Sequence, residues 1–401
     1  MGGRSRFLAL DRFSLAVAAA GLALRLFIIF LSPWFNASDL GIFYWAGSQA
    51  KMGHDPYLAW KASDAQLSMG ELPLAILLFA AVLSIFDAPQ SIQIFLALSD
   101  TLNVLLLGFI FGRQRLGRGL QTFYALGPLT LFNFTLVPED ESLLLLFLLM
   151  TILAVKVAYT NPPIADKAKF GAIAAAGILA SLKLIGLLFL PALAIALGRT
   201  RKKVLVFLTL FAAIFLTSHL LWAPSWLLIY RWRVVNRLAA PMHTGLINFF
   251  SALHLYNRWL YPILTALSLL TIYILFAVKK VDIIEMISLS VVAGTFWLTY
   301  VTPVTLAFWT ICLLVIFDWH YGWRPILVWG LSFLVVLVAA ASWYEAIGGL
   351  FDLSRLHWLS GDYGSLRMIL LSHSLFGAVL TLYIVDVTQG KRRGLGLLLQ
   401  S

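Results

Sequence analysis

The chain has 401 residues, 61% of them hydrophobic and only 12% charged, with a mean hydropathy of +0.91. Soluble domains carry roughly 25% charged residues, so this composition excludes an ordinary soluble domain. The net charge of +11 then reads as membrane orientation rather than nucleic-acid affinity, and a single cysteine, Cys312, excludes a disulfide or thiolate-metal framework.

In chain order, Arg4, Arg6 and Arg12 precede an apolar stretch at 13–33 that is long enough to cross a bilayer and is followed by no small-residue cleavage site. It reads as a retained anchor rather than a signal peptide. The apolar runs are continuous rather than alternating, so the spanning elements are helices and not barrel strands. Further spans are expected at 90–111, 119–137, 143–160, 170–182, 185–198, 204–222, 260–278, 284–302, 304–317, 325–343 and 367–385. Residues 72–86, LPLAILLFAAVLSIF, reach only about 22 Å as a helix. They are expected to lie in, or dip into, the membrane surface. Residues 170–198 are too many for one crossing and basic at both ends, so they are expected to form two short helices turning near Lys183 and Gly186.

With the N-terminus inside, this layout gathers basic residues on the cytoplasmic side: Arg113, Arg115, Arg118; Lys167 and Lys169; Arg199, Arg201, Lys202 and Lys203; and the tail Lys391, Arg392, Arg393. Counting 72–86 as a crossing would move Arg113, Arg115 and Arg118 outside and spoil the bias. The expectation is one all-α domain over 1–401 with about twelve spans and both termini cytoplasmic. Most of the acids fall on the other side, which makes the outer face the place to look for chemistry.

Three outer loops carry the candidate groups. The first, about 34–89, holds Asp39 at its membrane edge. The second reads Pro138-Glu139-Asp140-Glu141-Ser142. The third, about 223–259, holds Arg231, Arg233, Arg237 and His243 among aromatics. An acid can take a proton from an attacking hydroxyl, and cations can hold a leaving phosphate, with Arg favoured for its fork. That combination suits sugar transfer from a phosphate carrier. The bland readings stand beside it. Asn36, Ser38 and Asp39 are all good helix-start residues, with Gly53 and Pro56 to end the helix. The acidic loop reads equally as a solvated turn, the arginines can meet anionic headgroups, and Lys183 can bond backbone at the helix turn as well as phosphate. Arg25 and Asp100, each costly alone inside a span, are expected to pair.

The order of these features resembles a known class. A basic N-terminus, one span, a loop with an acid at its edge, the stretch FYWAGSQAKMGHDPY and the Pro-led helix LPLAILLF are similar to the GT-C membrane glycosyltransferases that use polyprenyl-phosphate sugars. The similarity is strongest to the dolichyl- or polyprenyl-phosphate-mannose-dependent mannosyltransferases resembling the first GPI mannosyltransferase. VPEDESLLLLFLLMTILA resembles their acidic second loop, FGAIAAAGILASLKLIGLLFLPALAIAL their paired short helices with a central Lys, and TYVTPVTLAFWTICLLVI their late span with a polar-Pro stretch. Many members carry two acids where this chain has only Asp39, preceded by Ser38. The resemblance implies an inverting hexosyl transfer, with mannose as the expected sugar. Asp39 would be the base, Glu139 or Asp140 the second-loop acid, and Lys183, Arg231, Arg233, Arg237 and His243 the donor-phosphate ligands. It implies a polyprenyl-phosphate sugar donor, a lipid-linked or glycan acceptor, surrounding membrane lipids and no nucleic acid. No residue set calls for a metal, although a divalent ion stays compatible. The site would face the periplasm or exterior in a prokaryote, or the ER lumen in a eukaryote. A secondary transporter fits the spans and the broken pair, and a non-catalytic membrane partner subunit is the third reading.

Overall fold

The structure is a computed structural model. Apart from isolated positions, it describes residues 11–31, 39–62, 71–111, 115–136, 138–227, 259–298, 303–316 and 362–388. Among the described residues every regular element is helical and there is no strand. The chain opens with α1 (Arg12–Leu31), followed by α2 (Leu40–Lys51), α3 (Pro56–Ala62) and α4 (Pro73–Ile85) of the first loop, and then α5 (Pro89–Phe111). Next come α6 (Arg115–Leu126), α7 (Glu141–Thr160), α8 (Ala165–Leu182), α9 (Leu190–Gly198) and α10 (Arg201–His219). The second half contributes α11 (Leu260–Ala277), α12 (Ile283–Phe296), α13 (Pro303–Ile316) and α14 (Asp362–Thr388).

Five of these, α1, α5, α7, α10 and α11, are long and apolar enough to cross a membrane. Their surfaces agree with that reading. On α11, Ile263, Leu267, Leu270 and Ile274 recur at helical spacing and are each more than half exposed, an apolar stripe that water would not tolerate but lipid would. The described residues form an all-helical fold, with its core between the helices, that is consistent with a helical membrane protein.

The stretch expected as one span at 119–137 is broken. α6 ends at Leu126, and the chain re-forms as a short turn, Pro128–Thr130, and a π-helical turn, Leu131–Leu136. Gly127 and Pro128 supply the reason, because proline has no N–H to continue the ladder and restricts the residue before it. The first loop is also more deeply docked than a free surface helix. α4 packs against α2, α5, α8 and α10, burying Ala75, Ile76, Phe79 and Leu83, while Ile85 and Phe86 stay exposed at its end. Phe43 of α2 stacks on Phe79 with ring centroids 4.7 Å apart. Lys51 ties the end of α2 to the end of α4, donating to Leu83 O at 3.1 Å and to Asp87 Oδ2 at 2.9 Å.

The sequence GHDPY is a helix stop followed by a helix start. Gly53 takes φ +80, which only glycine adopts freely, and its N–H donates to Ala50 O while that of His54 donates to Gln49 O. Asp55 Oδ1 then accepts from the N–H groups of Tyr57 and Leu58 at the start of α3. Tyr57 in turn donates to Glu71 O at 2.8 Å, closing the loop on α4.

Candidate functional site

The expected pair near Lys183 and Gly186 is present: α8 ends at Leu182, residues Leu184–Leu188 form a 3₁₀ turn, and α9 resumes at Leu190. Lys183 sits at the break in extended conformation, φ −156 and ψ 118. Gly186 packs directly on the backbone of Ala176 and Ala180 in α8, so the chain can fold back there only without a Cβ. Tyr273 of α11 donates its hydroxyl to Leu188 O, tying the broken segment to the second half.

Lys183 reaches the acidic loop. Its ammonium donates to Asp140 Oδ1 at 2.8 Å and to Glu141 Oε1 at 3.0 Å. Asp140 is buried, with its side chain 6% exposed, while Lys183 remains 40% exposed. An ammonium has three donors; two are used on carboxylates. Lys183 therefore holds the acidic loop first, rather than bonding helix-end backbone or serving as a lone phosphate ligand.

Asp39 and Asp140 both occupy helix-start positions, yet neither carboxylate caps its helix. Only the backbone carbonyls serve there: Asp39 O accepts from Phe43, and Asp140 O from Leu143 and Leu144. Simple capping therefore does not account for either acid. The Asp39 carboxylate, half-buried, makes no hydrogen bond among the described residues. It does stand close enough to Glu139 to act on it: burial first, then repulsion from Asp39 and Glu141, raise the Glu139 carboxyl well above the ordinary carboxylate range. The first-loop acid, a hundred residues before Glu139 in the chain, thus lies within electrostatic reach of the second-loop acids.

Glu139, Asp140 and Glu141 offer ligand oxygens all within 4.8 Å of one another, a spacing compatible with a divalent ion. Lys183 supplies a positive charge to Asp140 and Glu141, while Glu141 Oε2 is buried without a hydrogen-bond partner. Arg231, Arg233, Arg237 and His243 lie outside the described residues.

Two further features lie near these residues. An aromatic cluster walls the site beside the break: Tyr57 and Trp226 pack with Ile42 and Ile76, with Trp45, Trp60, Trp222 and Leu184 around them. Trp226 Nε1 donates to His219 O at 2.8 Å and its ring meets the His219 ring edge-on at 4.7 Å. The second feature is a buried polar network beneath the acidic loop. Arg25 Nε donates to Asp100 Oδ2 at 3.1 Å, as the cost of leaving either alone required. The rest of its guanidinium is satisfied by Gly21 O, Ala125 O, Tyr124 O and Thr130 Oγ1. Tyr124 donates to Asp100 Oδ1, and Asn103 bridges Tyr124 to the carbonyl of Ser142, the residue after Glu141. The sequence marks Arg25 and Asp100 as a pair but says nothing of their further partners Tyr124, Thr130 and Asn103.

No protein-family model matches this chain, and no curated protein matches it in sequence.

Proposed function

We propose that the chain is an integral-membrane glycosyltransferase of GT-C-like architecture, with about twelve spans, that moves a hexose from a polyprenyl-phosphate donor to a lipid-linked or glycan acceptor on the non-cytoplasmic face. The observation that supports this reading is an uncapped Asp39 within electrostatic reach of Glu139 and Glu141, with Lys183 bridging Asp140 and Glu141 at a helix break. In this reading Asp39 accepts the acceptor's hydroxyl proton, the freed oxygen attacks the anomeric carbon from the face opposite the phosphate, and the sugar–phosphate C–O bond breaks with its electron pair leaving on the polyprenyl phosphate. The sugar is inverted once. Lys183 offers its remaining donor to the phosphate, Arg231, Arg233, Arg237 and His243 are the further phosphate ligands, and the partly exposed Trp60 and Trp222 give the hexose an apolar face. Glu139, holding its proton, donates rather than repels. Mannose is the sugar the resemblance favours.

The test is direct. Purified protein is supplied with polyprenyl-phosphate mannose or polyprenyl-phosphate glucose and a mixed lipid-glycan acceptor extract. Product in which sugar has left the carrier for an acceptor supports the reading. No transfer from either donor contradicts it.

A second reading has an observation of its own. A protonatable carboxyl beside a lysine at a broken helix is also the arrangement of a proton-coupled secondary transporter. Proton-driven solute uptake into vesicles, with no sugar transfer, would favour it.

A further inference from the structure

The far end of the α8–α9–α10 unit, away from Lys183, holds a second site that the proposed chemistry does not use. α9 ends at Gly198, Arg199 takes a left-handed conformation with φ 56, and α10 begins at Arg201. Against this turn lies a cleft of about 430 Å³. Arg199, Thr200 and Arg201 form its mouth, and Ile195, Val204, Leu205 and Leu208 form its walls. Ile195 and Leu205 are 64% and 66% exposed, so the cleft opens sideways along the apolar surface of α10, one of the helices long enough to cross a membrane.

The charges at the mouth are not spent. Lys203, one turn further on, is engaged with Asp166 at 3.4 Å, and the Thr200 hydroxyl accepts from the Lys203 N–H. Arg199 and Arg201 form no ion pair among the described residues. Two free guanidiniums above a greasy trough that opens to the bilayer match one class of ligand: a phosphodiester with an acyl chain attached. Guanidinium forks suit phosphate oxygens, and the four apolar walls suit hydrocarbon, which a free phosphate lacks.

We propose that this cleft binds an anionic phospholipid of the adjoining leaflet, with its phosphate held by Arg199 and Arg201 and one acyl chain laid along Leu205 and Leu208. By the charge asymmetry of the chain this is the cytoplasmic leaflet, where anionic lipid and basic residues meet. The site is independent of the glycosyltransferase reading, and it stands or falls without it.

Native mass spectrometry of the full chain in detergent, titrated with phosphatidylglycerol or phosphatidylcholine, tests it. The paired variant Arg199→Asn with Arg201→Gln removes both charges while keeping a residue at 199 that accepts a left-handed backbone. Leu205→Trp fills the trough without touching the charges. The wild type is expected to take up phosphatidylglycerol in preference to phosphatidylcholine. The paired variant should bind it about thirtyfold more weakly, from a factor of about five per arginine near a membrane surface. Leu205→Trp should weaken both lipids, and inorganic phosphate at millimolar concentration should displace neither. Equal uptake of the two lipids by the wild type would overturn the proposal. So would unchanged phosphatidylglycerol binding in either variant, or full displacement by phosphate alone.

Discussion

At the scale of single residues, the telling pattern is which polar groups are matched and which are not. Arg25 is 1% exposed and Asp100 is fully buried, and every donor of the guanidinium finds an oxygen. Removing one partner of a buried pair leaves an uncompensated charge, which costs about 3–5 kcal/mol. Arg25→Met is therefore expected to lower thermal stability by that amount. The double variant Arg25→Met with Asp100→Leu should recover most of it, and a double-mutant cycle on unfolding temperature checks the coupling. Glu139 behaves in the opposite sense. Its folded carboxyl is raised, so the folded state holds that proton more tightly than the unfolded chain does. Its favourable effect on folding is complete below about pH 4.5, the ordinary value, and is lost as pH rises from there towards the raised folded value. Glu139→Gln should therefore be more stable than wild type at pH 8 and indistinguishable from it at pH 4, as melting curves at the two pH values would show. The Arg25–Asp100 pair was legible in the sequence because two lone charges in neighbouring spans can hardly do otherwise. The partners of Lys183 were not: its choice of Asp140 and Glu141 over backbone or phosphate is set by where α8 breaks relative to α7, a tertiary fact that no local pattern encodes.

At the scale of elements, the site depends on two interruptions. The break after Leu182 turns Lys183 towards the acidic loop, and the close seat of Gly186 on Ala176 and Ala180 holds that break shut. A Cβ at 186 would strike backbone rather than a movable side chain. Gly186→Ala is expected to cost about 1–3 kcal/mol by overpacking and to displace Lys183, which would show as faster proteolysis near the turn and a lowered melting temperature. The second interruption, at Gly127–Pro128, was read as continuous helix because hydropathy averages over a window and does not register one missing N–H. Elsewhere several elements were plain in the sequence: the first-loop helices that start at Asp39 and at Pro73, the helix stop at Gly53 and the paired short helices follow from apolar run length, proline and glycine, whereas Pro56, where α3 begins, reads in the sequence only as the end of a helix. The docking of α4 into the bundle was not plain. Its 13 residues are apolar almost all round, so composition alone does not say which face is covered.

At the scale of the whole molecule, five helices among the described residues meet the length and hydropathy of a crossing, and the exposed stripe of α11 needs lipid beside it. The proposed orientation puts residue 115 on the cytoplasmic side. A cysteine at Arg115 in a chain whose Cys312 is replaced should react with a membrane-impermeant maleimide only after the membrane is opened, and labelling of intact cells would refute the span count. The central claim, however, concerns Asp39. It sits at a helix start without capping it, makes no hydrogen bond among the described residues, and lies within electrostatic reach of Glu139. A carboxylate so placed has a task only if a substrate brings it one. The decisive measurement is sugar transfer from polyprenyl-phosphate mannose by purified wild type and by Asp39→Asn, with melting temperatures recorded for both. Loss of about 10²–10⁴-fold in turnover with an unchanged melting temperature is the predicted result for a general base. Transfer by Asp39→Asn at the wild-type rate would contradict the account.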